Sequence, residues 1–343
     1  MSGFYGQMEN YLRAGRFWTA TVLDGPEAGE KAAWRGEALF AGEKRLEKFW
    51  HKVMTAASGE NHRDFPGVIE TDGGKVYVEH LMQEPELVIC GGGHISLEVA
   101  FLAGYMEYPY VVLDDRAEFC SPDRFPGAKE CICAPFADGL GTHTFSADAY
   151  YIIVTRGHKA DLECLELILQ RPSGYVGMIG SRGKVARTMT VLREKGYPEE
   201  QLAQIHAPIG LKIGGETPKE IGVSILSQII QEKNRGNAAV CLDQKMVRTL
   251  SDGEPGVLVT ITGKRGSAPR GAGSRMIVGE REIICGTIGG GMVEYEAEKK
   301  AREYLAENRE CPVQTETYLV NNTSAAALGM WCGGEVDVMI ERL

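Results

Sequence analysis

The apolar run Leu87–Cys90 breaks directly into three consecutive glycines, Gly91, Gly92 and Gly93, and this stretch restricts the fold more than any other in the chain. The run has the length and composition of a strand buried on both faces, as in a parallel sheet. Beyond the glycines, Ile95, Val99 and Leu102 fall on one face of a helix, which Gly104 is placed to end. Tyr110–Leu113 is a second apolar strand that closes on Asp114 and Asp115. Strand, tight turn, helix and strand in this order form a unit of dinucleotide-binding type, so a Rossmann-like parallel sheet is expected.

Glycine at such a turn lets a phosphate approach the backbone at the positive end of a helix, where a Cβ would collide with it. An acidic residue about 20 positions further on suits a pair of ribose hydroxyls, and Asp114 stands in that place. The G-x-G-x-x-G pattern is incomplete, because Ser96 replaces its third glycine and His94 follows the triplet. The flanking strands carry the fold assignment, whereas the motif leaves nucleotide binding open.

Strand and helix signals keep alternating after this unit. Glu130–Ala134, Tyr150–Thr155 and Tyr175–Ile179 read as strands, and Asp161–Gln170 as a helix. Ser181 can cap a helix running to Lys195, and Thr217, Pro218 and Glu220 open another whose buried stripe is Ile221, Ile225 and Ile229. A doubly wound α/β domain over 85–236 follows. Residues 237–343 change to short strands with glycine-rich loops around one helix, Val293 to about Glu307, which predicts a smaller α+β domain. In 1–84, helical signals at Tyr11–Arg16 and Leu39–Ala57 mix with strands at Phe17–Leu23 and Lys75–Leu81. Two of its segments echo the chain's far end, RFWTATVLDG beside GVLVTITGKRG and GGKVYVEHL beside GGEVDVMIERL. A degenerate copy of the C-terminal module and chance similarity both account for that echo.

A length of 343 residues accommodates about two domains. The formal net charge of -10 argues against nonspecific binding to nucleic acid or to an anionic membrane, since both reward a basic surface. Nine cysteines without paired spacings suit a reducing cytoplasm better than a disulfide framework. Cys131 and Cys133 share one face of a strand and are expected to be buried thiols. No leader pattern and no apolar run of membrane-spanning length is present.

Three glycine-rich motifs could carry chemistry. Residues 263–276, GKRGSAPRGAGSRM, concentrate Lys264, Arg265, Arg270 and Arg275 in an acidic protein, as a clamp for an oxyanion would. Residues 285–294, CGTIGGGMVE, lead a strand through Gly289, Gly290 and Gly291 into a helix, which gathers backbone N–H groups for an anion. Residues 329–336, GMWCGGEV, set Cys332 at a glycine-bracketed turn, where a thiol could serve as a soft metal or sulfur ligand. His94 and His158 follow apolar strands at the edge of the sheet where ligands bind in this architecture. IGSRGKV, residues 179–185, lacks the glycine spacing and hydroxyl of a P-loop, though Arg182 and Lys184 could still meet an anion at the helix start capped by Ser181. Tyr295 and Lys299 form a Y-x-x-x-K pair outside the Rossmann-like part and read as a solvated helical face.

Taken together, GSAPRGAGSRM, GTIGGGMVE and GMWCGGEVDV resemble the first domain of the xanthine dehydrogenase accessory factor family (XdhC/CoxI type). LVICGGGHISLEVA, VVLDDRAEF, YYIIVTRGHKADLE, YVGMIGSRGKV and IHAPIGLKIGGETPKEI resemble its Rossmann domain. The resemblance covers about residues 85–343, with the usual domain order reversed. It implies a maturation factor that binds the molybdenum cofactor (molybdopterin), cooperates with a cysteine desulfurase and passes the cofactor to an apo molybdenum hydroxylase; a homo-oligomer is expected. On that reading Ser267, Arg270, Arg275, Gly289, Gly290, Gly291 and Glu294 hold the phosphate-bearing pterin, and Cys332 lies near the metal or its incoming sulfur. Gly91, Gly92, Gly93, His94, Asp114, Asp115, His158, Ser181 and Arg182 would hold a nucleotide portion or a dinucleotide such as NAD. The competing expectations are an NAD(P)-dependent oxidoreductase and a scaffold whose glycine turns are relics.

Overall fold

The computed structural model of the protein describes residues 3–58, 65–235, 239–266, 270–306, 312–320 and 334–343. The chain divides into two compact units, one formed by its two ends, residues 16–83 and 236–343 with the N-terminal helix, and one by residues 84–235.

The first end begins with helix α1 (Met8–Arg13) and strands β1 (Phe17–Val22), β2 (Lys31–Arg35) and β3 (Ala38–Ala41), followed by helix α2 (Glu47–Ala57) and strands β4 (Gly67–Thr71) and β5 (Gly74–Gln83). The single helix expected over Leu39–Ala57 is therefore a strand and a shorter helix. Gly42, at φ +140°, turns the chain between them, and Glu43 remains extended before a 3-10 turn at Lys44–Leu46. Trp50, Val53, Met54 and Ala57 give α2 its buried stripe.

The unit of residues 84–235 contains strands β6 (Leu87–Cys90), β7 (Tyr110–Asp114), β8 (Glu130–Cys133), β9 (Tyr150–Ile153), β10 (Tyr175–Met178) and β11 (Ile205–His206). Helices α3 (His94–Tyr105), α4 (Phe136–Thr142), α5 (His158–Ile168), α6 (Arg182–Glu194), α7 (Glu199–Leu202) and α8 (Pro218–Lys233) connect and cover them. All six strands are parallel, in the order β11-β10-β9-β6-β7-β8, so the winding reverses between β6 and β9. This is a Rossmann order, and ligands bind at such a reversal, beyond the carboxyl ends of the strands. Side chains alternate between two cores: Leu87 and Ile89 pack on one face of the sheet, Val88 and Cys90 on the other. Thr217 and Glu220 close the capping box of α8. Gly222 lets α8 approach α3 closely, since a Cβ there would lie 2.9 Å from the Cβ of Glu98.

The second end returns to the first unit with β12 (Val240–Leu242), α9 (Gln244–Asp252), β13 (Val257–Gly266), β14 (Arg275–Val278), β15 (Ile283–Gly286), α10 (Gly291–Ala306), β16 (Val313–Val320) and β17 (Gly334–Arg342). Its sheet order, β15-β14-β13-β17-β16, matches the order β3-β2-β1-β5 with β4 against β5 in the first end. In both, a helix joins the third and fourth strands and a short helix precedes the first. β12 leaves its own half and pairs in parallel with β5, placing Val240 opposite Leu81. Met8 and Leu12 of α1, Met246 and Leu250 of α9, and Ala33 and Ile277 from the two sheets share one core.

Candidate functional site

A cavity of about 580 Å³ opens in the first unit. Arg270, Gly273, Ser274 and Arg275 wall it on one side, Gly286 and Thr287 on another, and Cys241, Asp243, Phe65 and Pro66 also line it. Gly273 has φ +88°, and a Cβ there would lie 2.4 Å from Val240 and 3.2 Å from Pro66, so a bare backbone is needed for this wall to meet the neighbouring half.

The four cations of the 263–276 motif have separate fates. Arg265 pairs with Glu335 at 2.6 Å and Asp337 at 3.6 Å. Arg275, expected to hold a phosphate, is buried; its Nε donates to the carbonyl of Gly273 at 3.1 Å and its Nη2 pairs with Glu79. Burial opposes the charge on Arg275, but Glu79 outweighs it and holds the guanidinium pKa above its ordinary value. Lys264 and Arg270 have no carboxylate partner among the described residues, and Arg270 is the one that lines the cavity. Ser267 and Cys332 lie outside the described residues.

The glycine turn before α10 has the conformation that only glycine adopts easily, with φ of +121°, +72° and +69° at Gly289, Gly290 and Gly291. Its amides converge as expected for an anion, but the anion is the chain's own Glu294. That carboxylate accepts from the Ile288 N–H at 2.9 Å, the Gly290 N–H at 3.1 Å and the Thr287 hydroxyl at 2.5 Å. Partial burial would raise the Glu294 pKa, yet these hydrogen bonds prevail and hold it below the ordinary carboxyl value. Glu294, expected to contact a cofactor, thus holds the turn, with Thr287 between it and the cavity.

In the Rossmann unit the residues expected to hold a nucleotide follow the carboxyl ends of the strands, though several are committed to the chain itself. His94, His158 and Arg182 begin the helices after β6, β9 and β10, three adjacent strands, and all three are exposed. Ser181 caps α6 by accepting from the Lys184 N–H at 3.3 Å. Gly91 has φ +109°, and a Cβ on it would lie 2.6 Å from the Val154 carbonyl oxygen. A Cβ on Gly92 would lie 1.9 Å from the carbonyl oxygen of Phe119, so Gly92 admits the loop after β7, while Gly93 faces open space. Asp114 is buried and accepts from the Gly92 N–H at 2.8 Å and from two nitrogens of Arg116 at 2.9 Å. Burial disfavours its charge, but Arg116 and the amides win and lower its pKa. The carboxylate expected for a ribose is satisfied internally. Asp115, more exposed, pairs with Arg156 at 3.3 Å.

Sequence reasoning missed a buried cluster at the same edge. Asp161, fully buried in the first turn of α5, accepts from the Thr155 hydroxyl at 2.7 Å and pairs with Lys184 of α6. Thr155 and Asp161 stand six residues apart across a strand-to-helix turn, a spacing with no short-range signal, and Lys184, expected to meet an anion, meets the chain's own Asp161. Cys241 of the cavity was also missed, because β12 is too short to register as a strand, and Thr287, though inside the 285–294 motif, was not singled out. The expected burial of the C-x-C pair is corrected: β8 buries Ile132, leaving Cys131 half-buried and Cys133 exposed. Tyr295 is exposed, as a solvated helix face requires. Among the described residues, no helix is long and apolar enough to cross a membrane.

Comparison with known proteins places these features in a family. Residues 87–229 match the XdhC Rossmann domain model and residues 249–318 the XdhC and CoxI family model. The chain is similar to uncharacterized protein YqeB of Escherichia coli (strain K12), with 32% identity over 58% of this chain and 36% of that protein. It is also similar to a probable xanthine dehydrogenase subunit of Bacillus subtilis (strain 168), with 28% identity over 47% of this chain and 46% of that protein. The chain therefore spans less than half the length of these two curated relatives. A solved xanthine dehydrogenase structure from Bacillus halodurans is 24% identical and has a TM-score of 0.49, over 66% of this chain and 65% of that one. With both family models matched, the Rossmann part preceding the other, the chain belongs to the XdhC and CoxI family.

Proposed function

We propose that this protein is an accessory factor in the maturation of a xanthine dehydrogenase-type molybdenum hydroxylase, and that it binds the molybdenum cofactor in the cavity of its first unit. The carrying observation is the cavity's donor set: a guanidinium without a carboxylate partner among the described residues, Arg270, beside the Thr287 hydroxyl and the Cys241 thiol. A cation suits a phosphate, the Thr287 oxygen, whose hydrogen goes to Glu294, keeps a lone pair that can accept from a pterin N–H, and a thiol is the protein donor with affinity for a soft metal or its sulfur. A cavity of about 580 Å³ is within the usual range for a cofactor-sized ligand. Sulfuration by a cysteine desulfurase and delivery to an apo hydroxylase belong to the same reading.

The test is anaerobic binding of purified molybdenum cofactor, measured as molybdenum co-eluting in gel filtration, with NADH as a parallel ligand. Stoichiometric molybdenum without NADH is the expected result, and Arg270→Ala should reduce retention about tenfold or more while leaving the melting temperature unchanged. NADH binding without molybdenum overturns the proposal in favour of an oxidoreductase.

A further inference from the structure

The two ends of the chain agree in register as well as in strand order. Thr21 lies opposite Lys31 as Thr260 lies opposite Arg275, and Thr19 lies opposite Glu79 as Leu258 lies opposite Glu341. The irregularity between the second and third strands falls at Ala33/Trp34 in one half and at the corresponding Ile277/Val278 in the other. Gly29 and Gly273, each two residues before the cation, have φ of +90° and +88°. Each donates its N–H at 2.8 Å to the corresponding residue of the first strand, Val22 or Ile261.

Contacts between the halves are reciprocal, as in an isologous dimer. Lys31 of the first half pairs with Glu341 of the second at 2.5 Å, and Arg275 of the second pairs with Glu79 of the first. Each glutamate also accepts from a tyrosine, though both tyrosines come from the first half: Glu341 from Tyr5 at 2.5 Å, and Glu79 from Tyr77 of its own strand at 3.1 Å. A Cβ on Gly29 would strike Pro312 at 2.3 Å, and one on Gly273 would meet Pro66 at 3.2 Å. The ligand-facing equipment is not reciprocal. In the first half the loop before Lys31, residues 23–30, contains no cation, and Glu43–Leu46 stands in place of the glycine turn.

We propose that the first half acts as the fixed jaw of the second half's cavity, with Glu79 as the positioning residue. By holding Arg275, whose Nε is bonded to the Gly273 carbonyl, Glu79 fixes the 270–275 wall and so presents Arg270 to the ligand. Glu341 occupies the matching place in the joint but holds Lys31, on a loop with no cation to present. The ligand side of this inference rests on the cofactor reading above; the loop side is independent of it.

The full-length Glu79→Gln and Glu341→Gln variants separate positioning from simple stabilisation, because each removes one of two corresponding charges. Both are expected to lower the melting temperature. Tryptic cleavage after Arg270, followed by mass spectrometry, should become roughly ten times faster in Glu79→Gln and stay near the wild-type rate in Glu341→Gln. Glu79→Asp, which keeps the charge, should recover part of the protection. Molybdenum retention should fall in Glu79→Gln alone. Equal cleavage in the two variants, or wild-type cleavage in both, overturns the proposal. A clear cleavage contrast with no molybdenum retained by the wild type supports the positioning role and overturns the cofactor reading.

Discussion

Glu294 shows how one side chain can reverse the meaning of a motif. Three glycines before a helix invite a phosphate, yet the helix's own carboxylate accepts from two of the amides there and from Thr287. Because its folded pKa is depressed, its contribution to stability is complete above the ordinary carboxyl pKa and is lost as pH falls through the folded value. Glu294→Gln should therefore destabilise the protein by about 1–2 kcal/mol near neutral pH. The gap from wild type should close below about pH 4, as thermal melts over a pH series would show. Equal gaps at both ends of the series would mean that the carboxylate charge is irrelevant. The same sign applies to Asp114, whose pKa is also lowered, with Arg116 supplying the partner.

Turns joining strands to helices carry most of the specificity at the next scale. Gly92→Ala would drive a methyl into the Phe119 carbonyl, 1.9 Å from the ideal Cβ position, and should cost about 1–3 kcal/mol in denaturant unfolding with no ligand present. Asp161→Ala, which leaves Lys184 without its buried partner, should cost about 3–5 kcal/mol. Both effects belong to the β6 and β9 turns that sequence reading located. Strands such as Leu87–Cys90 and helices with capping boxes were legible because their signals are local, fixed by residues within a few positions of each other. The partners of these turns were not legible: Phe119 reaches Gly92, and Lys184 reaches Asp161, only after the sheet has formed. The edge strand β3 escaped for a related reason, since the half-exposed Ala38–Ala41 segment has the apolar content of a helix start.

Across the whole molecule, ligand binding can be assigned to a unit by hydrogen exchange. Molybdenum cofactor should protect peptides spanning residues 240–246 and 270–287 and leave 87–115 unchanged, whereas a dinucleotide ligand would give the opposite pattern. The likeness of the two ends was faint in sequence because an alignment on the glycine pairs sets Glu79 beside Met339, while the strand register sets it beside Glu341. Two residues of slippage conceal the reciprocal charges. The insertion of β12 beside β5 also bears on how the chain is made. At about 5–20 residues per second, roughly 8–30 s separate the emergence of Gln83 from that of Val240 on the ribosome. During that interval the contiguous Rossmann segment can complete itself, while the Leu81–Gln83 end of β5 waits without its neighbour. Chains released before residue 240 would keep that edge open to strands of other molecules, which makes prematurely terminated products the aggregation-prone species of this protein.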